Sequence, residues 1–164
     1  MDNSSKIKPF LWFDGQAEEA AKFYAGIFKD AKVGKVTPYP EGSPGPAGSA
    51  MTVEFQLRGQ DFVGLNGGPQ FKFNESVSFL VECETQQEID YYWDKLIEGG
   101  GKPVQCGWLK DRFGLSWQVA PKAVMNLYSN PKTAPRVMQA MMKMVKLDIA
   151  KLEEAAKHVE GGRK

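Results

Sequence analysis

The stretch FLWFDGQAEEAAKFYAGIF, residues 10–28, decides the fold because a similar stretch, FLVECETQQEIDYYWDKLI, begins 69 positions later at residue 79. At this shift Phe10-Leu11 aligns with Phe79-Leu80. The apolar residues of a predicted helix also align one for one, with Phe23, Tyr24, Ile27 and Phe28 matching Tyr92, Trp93, Leu96 and Ile97. Both sets follow helical spacing. Repetition at a fixed distance predicts two copies of one structural unit.

Each copy is predicted to be a short apolar strand that leads into an amphipathic helix. The strands cover residues 7–13 and 77–82, and the helices cover residues 16–28 and 86–98. Asp14 is the predicted N-cap of the first helix, while Thr85 with Glu88 has the spacing of a capping box in the second. Gly99-Gly100-Gly101 is the predicted end of the second helix.

Strand-like runs follow each helix: residues 32–39, 51–57 and 62–65 in the first half, and residues 104–109 and 115–119 in the second. The run MTVEFQL, residues 51–57, alternates between apolar and polar side chains, as a strand with one wet face does. The sequence therefore predicts an α+β fold of two tandem βαβββ modules in a single domain. Module one spans about residues 6–68 and module two about residues 75–121.

The remaining segment, about residues 122–160, is predicted to be a C-terminal extension dominated by one long helix from Pro135 to Lys157. Proline in the first turn favours a helix start there. One face of this helix is apolar and rich in methionine, with Met138, Met141, Met142, Val145, Ile149 and Leu152 in a stripe. Such a stripe packs either on its own domain or across a dimer.

The segment from Pro38 to Gly48 is too rich in proline and glycine for regular structure. It is predicted to be a mobile loop. Two interpretations stay open, a plain surface loop and a loop that closes over a ligand.

Charge and composition exclude several classes of partner. With 21 Lys and Arg against 20 Asp and Glu, the net charge of +1 provides no attraction to nucleic acid or to an anionic membrane. No apolar run approaches the length of a membrane span, and no secretory signal is recognisable at the start. We expect a cytoplasmic protein in which Cys83 and Cys106 are reduced thiols.

The most specific motif is CGWLKDRFGLSWQVAP, residues 106–121, and it is supported by PFLWFD at 9–14, LNGGP at 65–69 and EIDYYW at 88–93. Together these stretches resemble the PhnB-like branch of the vicinal-oxygen-chelate superfamily, which includes glyoxalases, bleomycin-resistance proteins and extradiol dioxygenases. The branch is often described as 3-demethylubiquinone-9 3-methyltransferase-like. The resemblance implies paired modules whose sheets curl around a shared pocket, usually in a homodimer.

Active relatives in this superfamily hold a divalent metal with His, Glu or Gln side chains from both modules. The positions that the resemblance assigns to such ligands are Pro9, Ser78 and residues 63–66, and none of them is His or Glu. Gln118 lies at the fourth ligand position, spaced from Asp111 as in relatives that end in Glu. One neutral amide does not hold a metal, so we expect no glyoxalase-type metal and no cofactor.

Three further residues bear on the metal question. The only histidine, His158, lies in the tail of the last predicted helix and is expected to be a solvated surface residue. The carboxylates of Asp14 and Glu82 are the remaining candidates for ligands in some other arrangement. The methyltransferase description gains little support, because the glycine-rich segment 42–48 is interrupted by proline and precedes a strand rather than a helix.

The predicted ligand-binding residues are Trp12, Asn66, Trp108 and Gln118. Aromatic rings with a few amides suit a flat, mostly neutral organic molecule. Two residues are candidates for chemistry. Cys106 lies in a predicted strand near Lys110 and Arg112, although a small apolar filler is the alternative. Asp111 is a candidate acid or base, although its sequence also suits an ordinary turn between strands.

Three hypotheses for function follow. The first is a metal-independent protein that binds a small molecule. The second is an enzyme of the superfamily, a lyase, isomerase or methyltransferase with unknown substrate. The third is an interaction module that acts through the methionine-rich C-terminal helix.

Overall fold

The computed structural model describes residues 7–157, apart from the side chain of Met125. The chain divides into two compact units, the first ending at Phe73 and the second beginning at Asn74.

The first unit is one four-stranded sheet with one helix. Its elements are β1 Phe10–Phe13, α1 Ala17–Ile27, β2 Lys32–Pro38, β3 Ala50–Leu57 and β4 Gln60–Asn66. The strand order is β1-β4-β3-β2, and only the β1–β4 pair is parallel. One face of the helix and one face of the sheet form the core, in which Tyr24, Val53 and Phe55 are buried.

The second unit repeats this topology and adds three helices. Its elements are β5 Ser78–Cys83, α2 Gln86–Ile97, β6 Lys102–Pro103, β7 Trp108–Lys110, β8 Ser116–Pro121, α3 Lys122–Ser129, α4 Ala134–Met141 and α5 Ile149–Lys157. The strand order is β5-β8-β7-β6, again with one parallel pair, β5–β8. The prediction of two tandem βαβββ modules is confirmed.

The repeat at a shift of 69 positions is confirmed for the helices. Tyr24 and Trp93 are both buried, as are Ile27 and Leu96. The helix α2 begins as predicted, because the Thr85 hydroxyl accepts a hydrogen bond from the Glu88 amide at 3.2 Å. It ends at Ile97, two residues before the first glycine of the predicted stop.

The same shift is wrong for the strands by one residue. It pairs Leu11, which is buried, with Leu80, which is 46% exposed. The core residues of β1 are Leu11 and Phe13, and those of β5 are Val81 and Cys83, so the strands match at a shift of 70. The cause is the turn before the helix, which has three residues in the first module and two in the second. A slip of one residue moves every strand side chain to the other face.

The prediction of one long C-terminal helix is wrong, because α4 ends at Met141 and α5 begins at Ile149. The intervening backbone bonds elsewhere. Its Met144 and Val145 carbonyls accept hydrogen bonds from the amides of Cys106 at 2.9 Å and Gly107 at 2.8 Å. These tertiary bonds replace the bonds that would continue a helix.

A second pair of hydrogen bonds fixes the start of α5. The Gln86 side chain donates to the Leu147 carbonyl at 3.1 Å and accepts from the Ile149 amide at 2.9 Å. The predicted apolar stripe is therefore divided between two environments. Leu152 is buried in the C-terminal core beside Met141, whereas Met138, Met142 and Val145 are exposed.

Candidate functional site

Trp108 and Gln118 lie side by side on one face of the second sheet. They are register partners across the antiparallel β7–β8 pair, and partners across strands point to the same face. Leu80 is the partner of Gln118 on the other side and is on this face as well. Trp117, the neighbour of Gln118 along the strand, points to the opposite face and is buried. The face that carries Trp108 and Gln118 is partly exposed.

Polar side chains line the same face. The Gln118 amide nitrogen donates to the Ser78 hydroxyl at 2.9 Å. Ser116 is the register partner of Ser78, and its buried hydroxyl has no hydrogen-bond partner within residues 7–157. A buried hydroxyl without a partner is uncommon, so Ser116 is a spare polar group on this face. Neither serine is among the predicted ligand contacts; their two-residue spacing from Leu80 and Gln118 is the sequence signal that places them on this face.

Trp12 lies on the sheet face of the first unit that points away from the core. Its indole Nε1 donates to the Gly68 carbonyl at 2.8 Å, and the Phe71 ring packs edge-on with centroids 4.9 Å apart. The only hydrogen-bond donor of the indole is therefore already used. Trp12 is half-buried and offers a ring surface for contact rather than a polar group.

Asn66, the fourth predicted ligand residue, has its polar atoms engaged within the first unit. Its Oδ1 accepts from the Ala17 amide at 2.8 Å, and its Nδ2 donates to the Ala50 carbonyl at 3.0 Å. Its backbone carbonyl accepts from the Tyr39 hydroxyl. Asn66 thus joins the end of β4 to the start of α1, to β3 and to the loop before β3.

The prediction of Asp14 as the N-cap of α1 is wrong. The N-cap position is Gln16, whose side chain makes no cap hydrogen bond. Asn66 satisfies the first helical amide from another strand, which a motif within the helix sequence does not reveal.

Cys106 lies in the turn between β6 and β7, so its predicted place in a strand is wrong. Its φ is +62°, and Gly107 follows with a φ of +83°. Gly107 is required by space as well, because a Cβ there would lie 2.9 Å from the Leu147 side chain. These two left-handed residues point their amides at the Met144 and Val145 carbonyls. The turn therefore fastens the C-terminal extension to the sheet.

Cys83 is buried in the core of the second unit. Burial, together with a smaller effect from the negative charge of Glu88, raises the pKa of its thiol to about 12. At neutral pH the Cys83 thiol is protonated and unreactive.

The two thiols should therefore differ sharply in reactivity. At pH 8 a thiol with a pKa of about 12 is ionised to about one part in ten thousand. We expect iodoacetamide to modify the half-exposed Cys106 in the folded protein and Cys83 only after unfolding in urea. Mass spectrometry of tryptic peptides over a time course measures both rates. Equal rates for the two cysteines in the folded protein would contradict this assignment.

Asp111 is 3% exposed and organises the turn between β7 and β8. Its Oδ1 accepts from the amides of Phe113 at 2.9 Å and Leu115 at 3.0 Å, and its Oδ2 accepts from Trp117 Nε1 at 2.9 Å. This bonding agrees with the interpretation of Asp111 as a turn residue. It leaves the carboxylate without access to a substrate.

The positions that the resemblance assigns to metal ligands do not suit a divalent ion. Pro9 has no donor atom in its side chain, and Gln118 offers a single neutral amide oxygen. Within residues 7–157, no three His, Cys, Asp or Glu side chains are grouped to hold a metal, Asp14 and Glu82 included. His158 lies outside the described residues. Also within that range, no helix is long and apolar enough to cross a membrane.

Comparisons with known proteins agree with this architecture. A family profile described as 3-demethylubiquinone-9 3-methyltransferase matches residues 5–120. A PhnB protein from Bacillus cereus, described as a putative 3-demethylubiquinone-9 3-methyltransferase, is 34% identical, with a TM-score of 0.65 over 71% of this chain and 99% of that one. Protein PA1353 from Pseudomonas aeruginosa is 22% identical, with a TM-score of 0.58 over 72% and 98% of the two chains.

A more distant structure shares the fold alone. The fosfomycin resistance protein FosX from Mesorhizobium loti is 11% identical, with a TM-score of 0.57 over 79% of this chain and 100% of that one. No curated protein sequence matches the chain. The family match spans both sheets and stops at residue 120, before α3 begins at Lys122. The chain belongs to the 3-demethylubiquinone-9 3-methyltransferase family, the PhnB-like branch of the vicinal-oxygen-chelate superfamily.

Proposed function

We propose that this chain binds a small, flat and largely neutral organic molecule on the partly exposed sheet faces that carry Trp12 in the first unit and Trp108 with Gln118 in the second. Binding proceeds without a glyoxalase-type metal. A single domain, a homodimer and a cytoplasmic location are parts of the same proposal.

The observation that carries the proposal is the placement of Trp108 beside Gln118. An indole ring supplies a large apolar contact, and an amide supplies directional hydrogen bonds, which together are the usual composition of a site for an organic ligand. The amide oxygen of Gln118 is available to a polar substituent, since the hydrogen bond to Ser78 uses the Gln118 nitrogen. No charged group is needed to complete such a site.

Removal of the Trp108 ring should weaken binding of a flat aromatic probe. With 2-naphthol as the probe, we expect Trp108→Ala to raise the Kd about three- to tenfold, because stacking contacts of this kind are worth about 0.5–1.5 kcal/mol. Gln118→Ala should raise the Kd as well, through the lost amide. Isothermal titration calorimetry measures both values.

Tyr91→Ala is the matched control for this experiment. Tyr91 is an exposed aromatic residue on α2, away from the sheet face. Its removal should leave the Kd of 2-naphthol unchanged. No saturable binding of 2-naphthol to the native protein, or equal weakening by Tyr91→Ala and Trp108→Ala, would refute the proposal.

The family description favours one alternative, an enzyme that transfers a methyl group. The turns between strand and helix do not resemble the glycine-rich turns of doubly wound methyltransferases, since they are Asp14-Gly15-Gln16 and Glu84-Thr85. Native mass spectrometry of protein purified without chelators tests both candidates. A bound divalent ion or bound adenosylmethionine supports the enzyme, and a metal-free dimer with an organic adduct supports the binding protein.

A further inference from the structure

A cleft of about 470 Å³ lies within the first unit, and Trp12 is not part of its lining. Three chain segments form it: the turn into α1, the loop between β2 and β3, and the end of β4. The lining residues are Asp14, Gly15, Glu18, Tyr39, Pro44, Gly45, Pro46, Ser49, Ala50, Asn66, Gly67 and Gly68. The volume is within the range of sites for small organic ligands, about 300–1,000 Å³.

Hydrogen bonds fix the walls of this cleft. Asn66 ties all three segments together through its side chain and its carbonyl. The loop is closed at its base, where the Tyr39 amide donates to the Ser49 carbonyl at 2.8 Å and the Gly48 amide donates back to the Tyr39 carbonyl at 2.9 Å. Gly45 lies so close to the Tyr39 ring that a Cβ would be 2.4 Å from it. The loop from Pro38 to Gly48 is thus a braced wall of the cleft.

The charge of the lining has one sign. Asp14 and Glu18 are the only charged residues among the lining residues, and both are carboxylates. The amide of Ala17, at the start of the helix between them, is already bonded to Asn66. No lysine or arginine of the lining neutralises the two carboxylates. A cation in the cleft would be attracted by both.

We propose that this cleft binds a small organic cation, an amine or guanidinium compound whose charged groups meet Asp14 and Glu18 and whose carbon chain lies against the wall of Tyr39, Pro44 and Pro46. Bare metal ions fit poorly, because a metal needs several donors at short distance and no such group occurs within residues 7–157. A cleft of this volume instead suits a ligand of several heavy atoms.

Three four-carbon compounds test the proposal by charge alone. We expect saturable binding of 1,4-diaminobutane, a dication, and none of 1,4-butanediol, which is neutral, or of succinate, which is a dianion. Amide NMR shifts at Gly15, Gly45 and Gly67 report occupation of the cleft. The Kd of the diamine should rise with salt, because exposed ion pairs are screened.

Charge-removing variants identify the carboxylates. Glu18→Gln should raise the Kd of 1,4-diaminobutane about three- to fivefold, as expected for one partly exposed ion pair. Glu19→Gln is the matched control, since Glu19 lies in the same helical turn and does not line the cleft. Equal weakening by both variants, equal binding of the diol, or no saturable binding of the diamine would overturn the proposal.

The test of the cation site is independent of the proposed aromatic-ligand function. Because Trp108 belongs to the second unit and the cleft to the first, Trp108→Ala should leave the Kd of 1,4-diaminobutane unchanged. Asp14→Asn combined with Glu18→Gln should raise the Kd of 1,4-diaminobutane about tenfold or more and leave 2-naphthol binding intact. If the double variant binds the diamine as the native protein does, the cation site is refuted, whatever the outcome with 2-naphthol.

Discussion

Replacing Asp111 with alanine is expected to lower the free energy of unfolding by about 3–5 kcal/mol, because buried donors lose a charged acceptor. The amides of Phe113 and Leu115 and the indole nitrogen of Trp117 all donate to this carboxylate. After the change none of these three donors has its partner. Trp117 is buried, so water replaces the lost acceptor poorly.

Urea unfolding followed by circular dichroism measures the loss. Asp111→Asn keeps the shape but presents an NH₂ group to a donor on one side, so its destabilisation should be smaller than that of alanine and still above about 1 kcal/mol. Asp94→Ala removes an exposed carboxylate from α2 and should change the free energy by less than about 0.5 kcal/mol. A stable Asp111→Ala protein would show that the turn does not depend on this carboxylate.

The periodic parts of the fold could be read from the sequence because local patterns determine them. Helical spacing placed Tyr24 and Trp93 in the core, and both are buried. Alternation in the run 51–57 predicted β3, which spans Ala50–Leu57. The strand register at Leu80 could not be read in the same way, since it depends on a turn that differs by one residue between the modules.

Contacts between distant segments account for the other errors. The C-terminal segment has helical periodicity, but the amides of Cys106 and Gly107 and the side chain of Gln86 bond its backbone between α4 and α5. No pattern within that segment predicts these hydrogen-bond partners. The burial of Asp111 has a local cause instead, because its motif predicts the turn but not the hydrogen bond from Trp117, six residues along the chain.

The residues of the candidate site could be predicted from the sequence only in part, for a related reason. Alternation along β8 correctly separated Gln118 from Trp117, and this places Gln118 with Trp108. The sequence predicts that Asn66 contacts a ligand because aromatic rings with a few amides suit an organic molecule. In the structure both polar groups of its side chain bond to the backbone of the first unit. Amide side chains serve ligands and backbones equally well, so residue type alone does not decide between them.

Replacing Asn66 with alanine distinguishes these two roles through stability. We expect the free energy of unfolding to fall by about 2–4 kcal/mol, because the Ala17 amide and the Ala50 carbonyl both lose their partner. Hydrogen exchange at the Ala17 amide should also become faster, since the first amides of a helix have no partner within the helix. Urea titration and exchange monitored by NMR measure the two effects.

Two further variants separate the bonds that Asn66 makes. Asn66→Asp keeps an acceptor for the Ala17 amide but places a second oxygen against the Ala50 carbonyl, so exchange at Ala17 should stay slow while the loop between β2 and β3 loosens. Asn74→Ala removes an exposed asparagine whose side chain accepts hydrogen bonds from Ser76, and it should change stability by less than about 0.5 kcal/mol. If Asn66 is a ligand contact and not a brace, Asn66→Ala will unfold at the same urea concentration as Asn74→Ala. Because Asn66 also joins the walls of the acidic cleft, its loss should weaken 1,4-diaminobutane binding even though Asp14 and Glu18 are intact.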